Sequence, residues 1–130
     1  MTRVLVVGLR RPGIIEKIVE EGAELSVVDA DEKLCRQVAK TFKCKVIVGD
    51  GTNPDNLKRA GADKAEILVV AMDDDDANLQ VCKHARKELG IPQVMVIIND
   101  RFRKAEFEAI QPQLDSIIYF IGDKSIRQSG

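Results

Sequence analysis

The stretch Gly8-Leu9-Arg10-Arg11-Pro12-Gly13 follows directly on the apolar run Arg3 to Val7. A glycine turn at that place lets the start of the next helix approach a phosphate, because the first amides of a helix point outward and carry partial positive charge. The usual spacing has a central glycine, and here Arg10 occupies that position. Arg10 and Arg11 then either fill the space where backbone and pyrophosphate meet, or swing outward and clamp an anionic phosphate. A plainer alternative is that Gly8 and Gly13 only let the helix pack close to its strand, with both arginines in solvent.

Asp29 lies about twenty residues after Gly8, at the end of a second apolar run, where a carboxylate can accept from ribose hydroxyls. Negative charge there disfavours a 2'-phosphate, which points to NAD(H) or an adenine nucleotide (ATP, ADP or AMP) over NADP(H). A competing role for Asp29 is to cap the helix beginning near Asp31. Asp50, Gly51 and Thr52 follow a third run and either border an adenine ring or simply form a turn. The four acids Asp73 to Asp76 suit a hard cation by type, but no calcium-loop pattern continues beyond them, and acids at a helix start are favoured by the helix dipole.

No catalytic set and no metal site are expected. His84 is the only histidine, without a ligand set at metal spacing, and is expected on an exposed helix face. Cys35, Cys44 and Cys82 are odd in number with no CxxC pair, so reduced thiols are expected. Asn78 shares a helix face with Cys82, Ala85 and Leu89, and needs a polar partner from a loop backbone or from the crevice.

These residues are positioned by a regular alternation of strands and helices. Arg3 to Val7, Glu24 to Asp29, Cys44 to Val48, Glu66 to Met72, Pro92 to Ile98 and Ser116 to Ile121 read as strands. Between them, apolar residues recur at helical spacing, as at Ile14, Ile15, Ile18 and Val19, at Leu34, Val38 and Phe42, and at Cys82, Ala85 and Leu89. Shorter helices are expected through Leu57 and near Phe102 to Ile110. The predicted fold is α/β, a Rossmann-like doubly wound parallel six-stranded sheet in the order 3-2-1-4-5-6, with ligands beyond the strand ends at the switch between strands 1 and 4.

The 130 residues suffice for one domain, taken as residues 1–130. Twenty Lys and Arg against 21 Asp and Glu leave no surplus of positive charge for nucleic acid. No apolar run approaches the length of a membrane span, and Met1-Thr2-Arg3 lacks the features of a secretory signal, so a cytoplasmic address without direct membrane insertion is expected.

The order of motifs resembles the TrkA-N family, also called the RCK N-terminal or KTN domain. Gly8, Arg11 and Gly13 are similar to its GxGRxG turn, Val27 to Asp31 to its acidic second-strand end, and Val48 to Asn53 with Leu57 and Ala60-Gly61 to its GDaT segment. Met72 to Leu79 resembles its DDxxN stretch, and Ile98-Asn99-Asp100 its fifth-strand end. The resemblance implies a non-enzymatic domain that forms a homodimer or higher oligomer, binds NAD(H), ATP or ADP, and gates a potassium channel or transporter subunit, reaching the membrane through that partner. It places Gly8, Arg11 and Gly13 near phosphates, Asp29 at the ribose, Asp50 to Thr52 near the adenine, and Met72 and Asp73 at the crevice. Arg10 departs at the central glycine, and Ile97 stands where members often have a basic residue. The alternative is a dimerising module that no longer binds a dinucleotide because of Arg10. The RCK C-terminal domain common in the family does not follow, which leaves a fragment or a stand-alone subunit open.

Overall fold

Valine and isoleucine dominate the strands because branched side chains fit a pleated surface packed on both sides. In the computed structural model, which describes residues 1–110, 116–121 and 124–126, these runs form β1 (Arg3–Val7), β2 (Glu24–Asp29), β3 (Lys45–Val48), β4 (Ile67–Val70), β5 (Gln93–Ile98) and β6 (Ser116–Ile121). A further strand, β7 (Lys124–Ile126), completes one sheet in the order β3-β2-β1-β4-β5-β6-β7. All neighbours are parallel except β6 and β7. The expected order holds for six strands and gains an antiparallel seventh. Only two residues separate β6 from β7, too few for a crossover and enough for a hairpin.

The helices are α1 (Pro12–Glu20), α2 (Glu32–Thr41), α3 (Pro54–Arg59), α4 (Asp75–Leu89) and α5 (Lys104–Glu108). Alternation along β1 divides the core. Val4 and Val6 join Ile15, Leu25, Val27 and Cys35 on the α1 and α2 face, while Leu5 and Val7 join Leu57, Cys82, Ala85 and Phe107 on the other. Val4 to Val7 are all buried, and each such side chain contributes on the order of 1.5–3 kcal/mol. The sheet centre is therefore a rigid base for the turns at its carboxyl edge.

Two details depart from the sequence pattern. The continuous helix expected near Phe102 to Ile110 is a 3-10 turn over Arg101–Arg103 followed by α5, and Phe102 is 85% exposed beneath the Arg101 guanidinium. Asp100 stops regular helix there by accepting the Phe102 amide, a local bond that competes with helical pairing. Val19, read as part of the apolar stripe of α1, lies at its exposed margin. Among the described residues, no helix is long and apolar enough to cross a membrane.

Candidate functional site

The switch point between β1 and β4 is shaped by glycines. Gly8 has φ +105°, and a Cβ added to it would lie 2.4 Å from the Ala71 carbonyl oxygen, so this turn packs its backbone directly on the end of β4. Gly51 is buried against Val7 and Met72, where a Cβ would come within 2.5 Å of Val7. Gly13 differs from both, because a Cβ there meets nothing within 4 Å. Close packing thus explains Gly8 and Gly51 but not Gly13, which opens the first turn of α1 to space.

α1 also begins without help from a side chain. Its N-cap, Arg11, makes no capping bond and its first turn holds no acid, whereas Asp31 caps α2 through the Leu34 amide and Asn53 caps α3 through the Asp55 amide. The positive end of α1 is therefore not offset by a side-chain cap or a first-turn acid of its own.

Asp29 is tied to the turn that leads into this helix. Its Oδ2 accepts from the Leu9 amide and its Oδ1 from the Asp31 amide, both at 2.7 Å. The competing role of helix cap falls to Asp31 itself. These two bonds use about half of the roughly four acceptor directions of a carboxylate, leaving capacity for hydroxyl donors. At the end of β3, Asp50 Oδ1 accepts from the Thr52 amide and from Thr52 Oγ1, which together hold the Asp50 carboxyl below the usual carboxylate range.

The two arginines of the first turn are not simply in solvent: Arg10 spans from the start of α2 to the end of β4, and Arg11 reaches the end of β5. Arg10 lies between two carboxylates, with Asp31 Oδ2 at 3.5 Å and Asp73 Oδ2 at 3.4 Å, while 55% of its side chain remains exposed. Arg11 donates to Asn99 Oδ1 at 2.6 Å. Exposed ion pairs at such distances contribute about 0–1 kcal/mol each, so Arg10 is a loose tie across the crevice and not a packed plug.

Behind Arg11 stands a network that sequence reasoning did not assemble. Asp75, only 6% exposed, accepts from the Asn99 and Asp100 amides at 2.9 and 2.8 Å and from the side chains of Asn78 and Asn99 at 3.2 and 3.1 Å. Fully buried Asn78 accepts from the Met72 amide and donates to the Met72 carbonyl, which is the loop contact expected of it. Asn99 also donates to the Met72 carbonyl, at 2.8 Å. The available signal for Asp75 was its phase, three residues before Asn78 and seven before Cys82 on one helix face.

The remaining acids have ordinary tasks. Asp74 accepts from the Asp76 amide, and Asp76 pairs with Arg103 at 2.7 Å. No group of three metal-binding side chains is present among the described residues. His84 is half-exposed and pairs with Glu88 one turn on.

A cavity of about 990 Å³ opens elsewhere, between α1 and the face of β4 and β5 that carries Ile67, Val69, Met95 and Ile97. It meets the crevice only through Arg10, Arg11 and Gly13, and Asp29 and Asp50 are not among its lining residues. Its walls are mostly apolar.

The chain matches the TrkA-N domain over residues 4–119. It belongs to the TrkA-N family. A relative in Cronobacter sakazakii, the glutathione-regulated potassium-efflux system protein KefC, is 37% identical over 101 residues, covering 76% of this chain and 16% of the relative. This TrkA-N chain thus spans about a sixth of that relative's length. Among solved structures, the Shewanella denitrificans Kef C-terminal domain in its AMP-bound form superposes with a TM-score of 0.74 at 23% identity, covering 94% of this chain and 74% of that one. The GsuK channel bound to NAD superposes with a TM-score of 0.73 at 14% identity, covering 89% and 21% of the two chains. At such identities these structures attest the fold, which the TrkA-N chain shares over nearly its whole length.

Proposed function

We propose that this chain is a nucleotide-binding regulatory domain, not an enzyme, that changes the state of a membrane potassium channel or transporter subunit. The observation that carries this reading is the uncapped start of α1 at the open Gly13, reached through a turn whose Leu9 amide is held by an Asp29 carboxylate with acceptor capacity to spare. Phosphate belongs at the helix start beside Arg10 and Arg11, the ribose at Asp29, and the adenine near Asp50, Gly51 and Thr52, with Met72 and Asp73 bordering the crevice. NAD(H) and the adenine nucleotides are the ligand class, supported by family members found with AMP and with NAD. Regulation needs only that the ligand bind one conformation better than another. Cytoplasmic placement, a homodimer or higher oligomer, and attachment to the membrane through the partner belong to the same proposal.

Isothermal calorimetry with AMP, ADP, ATP and NADH tests it. Saturable binding at micromolar to low-millimolar ligand is expected, and a folded sample that binds none of them at millimolar concentration would refute it.

A second reading keeps the fold as an interaction module without nucleotide, and it rests on Arg10 lying between Asp31 and Asp73. Under that reading Arg10→Gly creates binding that the native chain lacks. Under the first, the same change weakens binding, because Asp29, Asp31 and Asp73 then face the phosphate with one fewer cation.

A further inference from the structure

We propose that the apolar groove between α1 and the face of β4 and β5 binds a single-chain anionic amphiphile of the fatty-acid kind, with its tail along the strands and its head group at Arg10 and Arg11. The inference does not rest on the nucleotide reading, because the groove lies on a face of the sheet and the crevice lies at its carboxyl edge.

The groove follows from how the helices are shared between the two faces. α1 and α2 pack on the face that carries Val4, Val6 and Val27, whereas α3, α4 and α5 pack on the other. Among the described helices, only α1 borders the first face where it continues over β4 and β5. Strand residues Val4, Val69 and Ile97 form the floor there, and Ile14 and Ile18 of α1 form one wall.

Shape decides what fits. Val4 and Val69 are each 6% exposed and Ile97 2%, so the floor is almost closed to water. A docked helix, about 10 Å across, needs a floor left open, while an extended alkyl chain does not. The lining runs from Thr2 and Ala23 at the amino edge of the sheet to Arg10 and Arg11 at the carboxyl edge. The five residues of β1 along that path give a length of roughly 16 Å. The volume of about 990 Å³ is that of a small-ligand site.

Charge fixes the direction. The described lining holds three cations, Arg10, Arg11 and Lys17, against one acid, Glu21, which lies at the far end of α1 from the arginines. Arg10 keeps its place through two long, exposed ion pairs, which exchange for an incoming carboxylate at little cost. Guanidinium and carboxylate then match in a two-pronged bond. Beside them Gly13 has nothing within 4 Å of where its Cβ would stand, so the arginine end is open to a head group. Ile97 keeps the floor apolar up to that end, whereas a charged side chain at the same place would be buried against the tail at high cost.

The test is calorimetry of the full chain, without nucleotide, using octanoate, decanoate and dodecanoate below their micelle-forming concentrations. Affinity is expected to rise about fourfold for each added methylene. Dodecyltrimethylammonium, with the same tail and the opposite charge, should bind roughly tenfold more weakly than dodecanoate. Arg10→Ala should weaken dodecanoate severalfold and leave the ammonium compound unchanged. Met95→Glu, on the half-buried strand side of the groove, should abolish both, and Ile18→Glu serves on the opposite wall if that variant melts early. No binding of dodecanoate, or equal binding of the two head groups, would overturn the inference. Binding to phosphatidylglycerol vesicles but not to free dodecanoate would give the groove to a membrane surface and overturn it as well. A dimer that Met95→Glu splits, seen by sedimentation with no uptake of dodecanoate, would give the groove to a second copy of this chain and do the same.

Discussion

The carboxylate of Asp29 and the amide of Leu9 meet at 2.7 Å, joining the end of β2 to the turn that follows β1. Leu9 is itself buried, so its amide has no easy recourse to water. Asp29→Ala strands that donor and the Asp31 amide and is expected to cost about 2–3 kcal/mol. Asp29→Asn keeps an acceptor oxygen and should recover part of the stability while binding nucleotide less well. Chemical denaturation, with hydrogen exchange read at the Leu9 amide, checks both.

The two glycines of the first turn should respond in opposite ways. Gly8→Ala forces a side chain into a left-handed backbone and against the Ala71 carbonyl, for a loss of roughly 3 kcal/mol or more. Gly13→Ala places a methyl in open space within α1 and should stabilise by about 0.5–1 kcal/mol through helix propensity. If phosphate approaches at Gly13, this more stable variant binds nucleotide more weakly. Thermal melts paired with calorimetry separate the two effects, and unchanged affinity in Gly13→Ala would move the phosphate elsewhere.

Six strands and their order were legible because parallel strands with helical crossovers leave a strong periodic signature, and because Gly8 and Asp29 mark strand ends by residue type. The antiparallel β7 was not read, since three residues give too short a pattern to register. The pairings of the arginines were equally hidden, because Arg11 and Asn99 are 88 residues apart and only the sheet order brings them together. The run Asp73 to Asp76 shows the same limit at short range. Four identical residues were read as one cluster, yet the helix phase buries one of them and leaves its neighbours at the surface.

Burial pushes the Cys82 thiol up to about 12, so native protein should react very slowly with thiol reagents near neutral pH. The sign for stability follows from the raised value. The neutral thiol is favoured by the fold, so its contribution is complete below the unfolded value near 9 and is lost as pH climbs from there toward about 12. Denaturation midpoints should fall across that alkaline window, and less steeply in Cys82→Ala. An equal slope in both proteins would assign the alkaline loss to other groups.

Adjacent acids on α4 offer the sharpest contrast. Asp75 receives four hydrogen bonds while nearly buried, whereas Asp76 is 81% exposed in its pair with Arg103. Asp75→Ala leaves the Asn99 and Asp100 amides without their acceptor and releases the Asn99 side chain, for an expected loss of about 3 kcal/mol. Asp76→Ala removes a solvated partner and should barely move the melting temperature. Hydrogen exchange at Asn99 and Asp100 should quicken in the first variant only. Because Asn99 also holds Arg11, Asp75→Ala examined at a temperature where it stays folded should bind nucleotide more weakly, although residue 75 makes no contact with the proposed ligand position. Equal behaviour of the two variants would mean that the network behind β4 and β5 supports the fold without shaping the crevice.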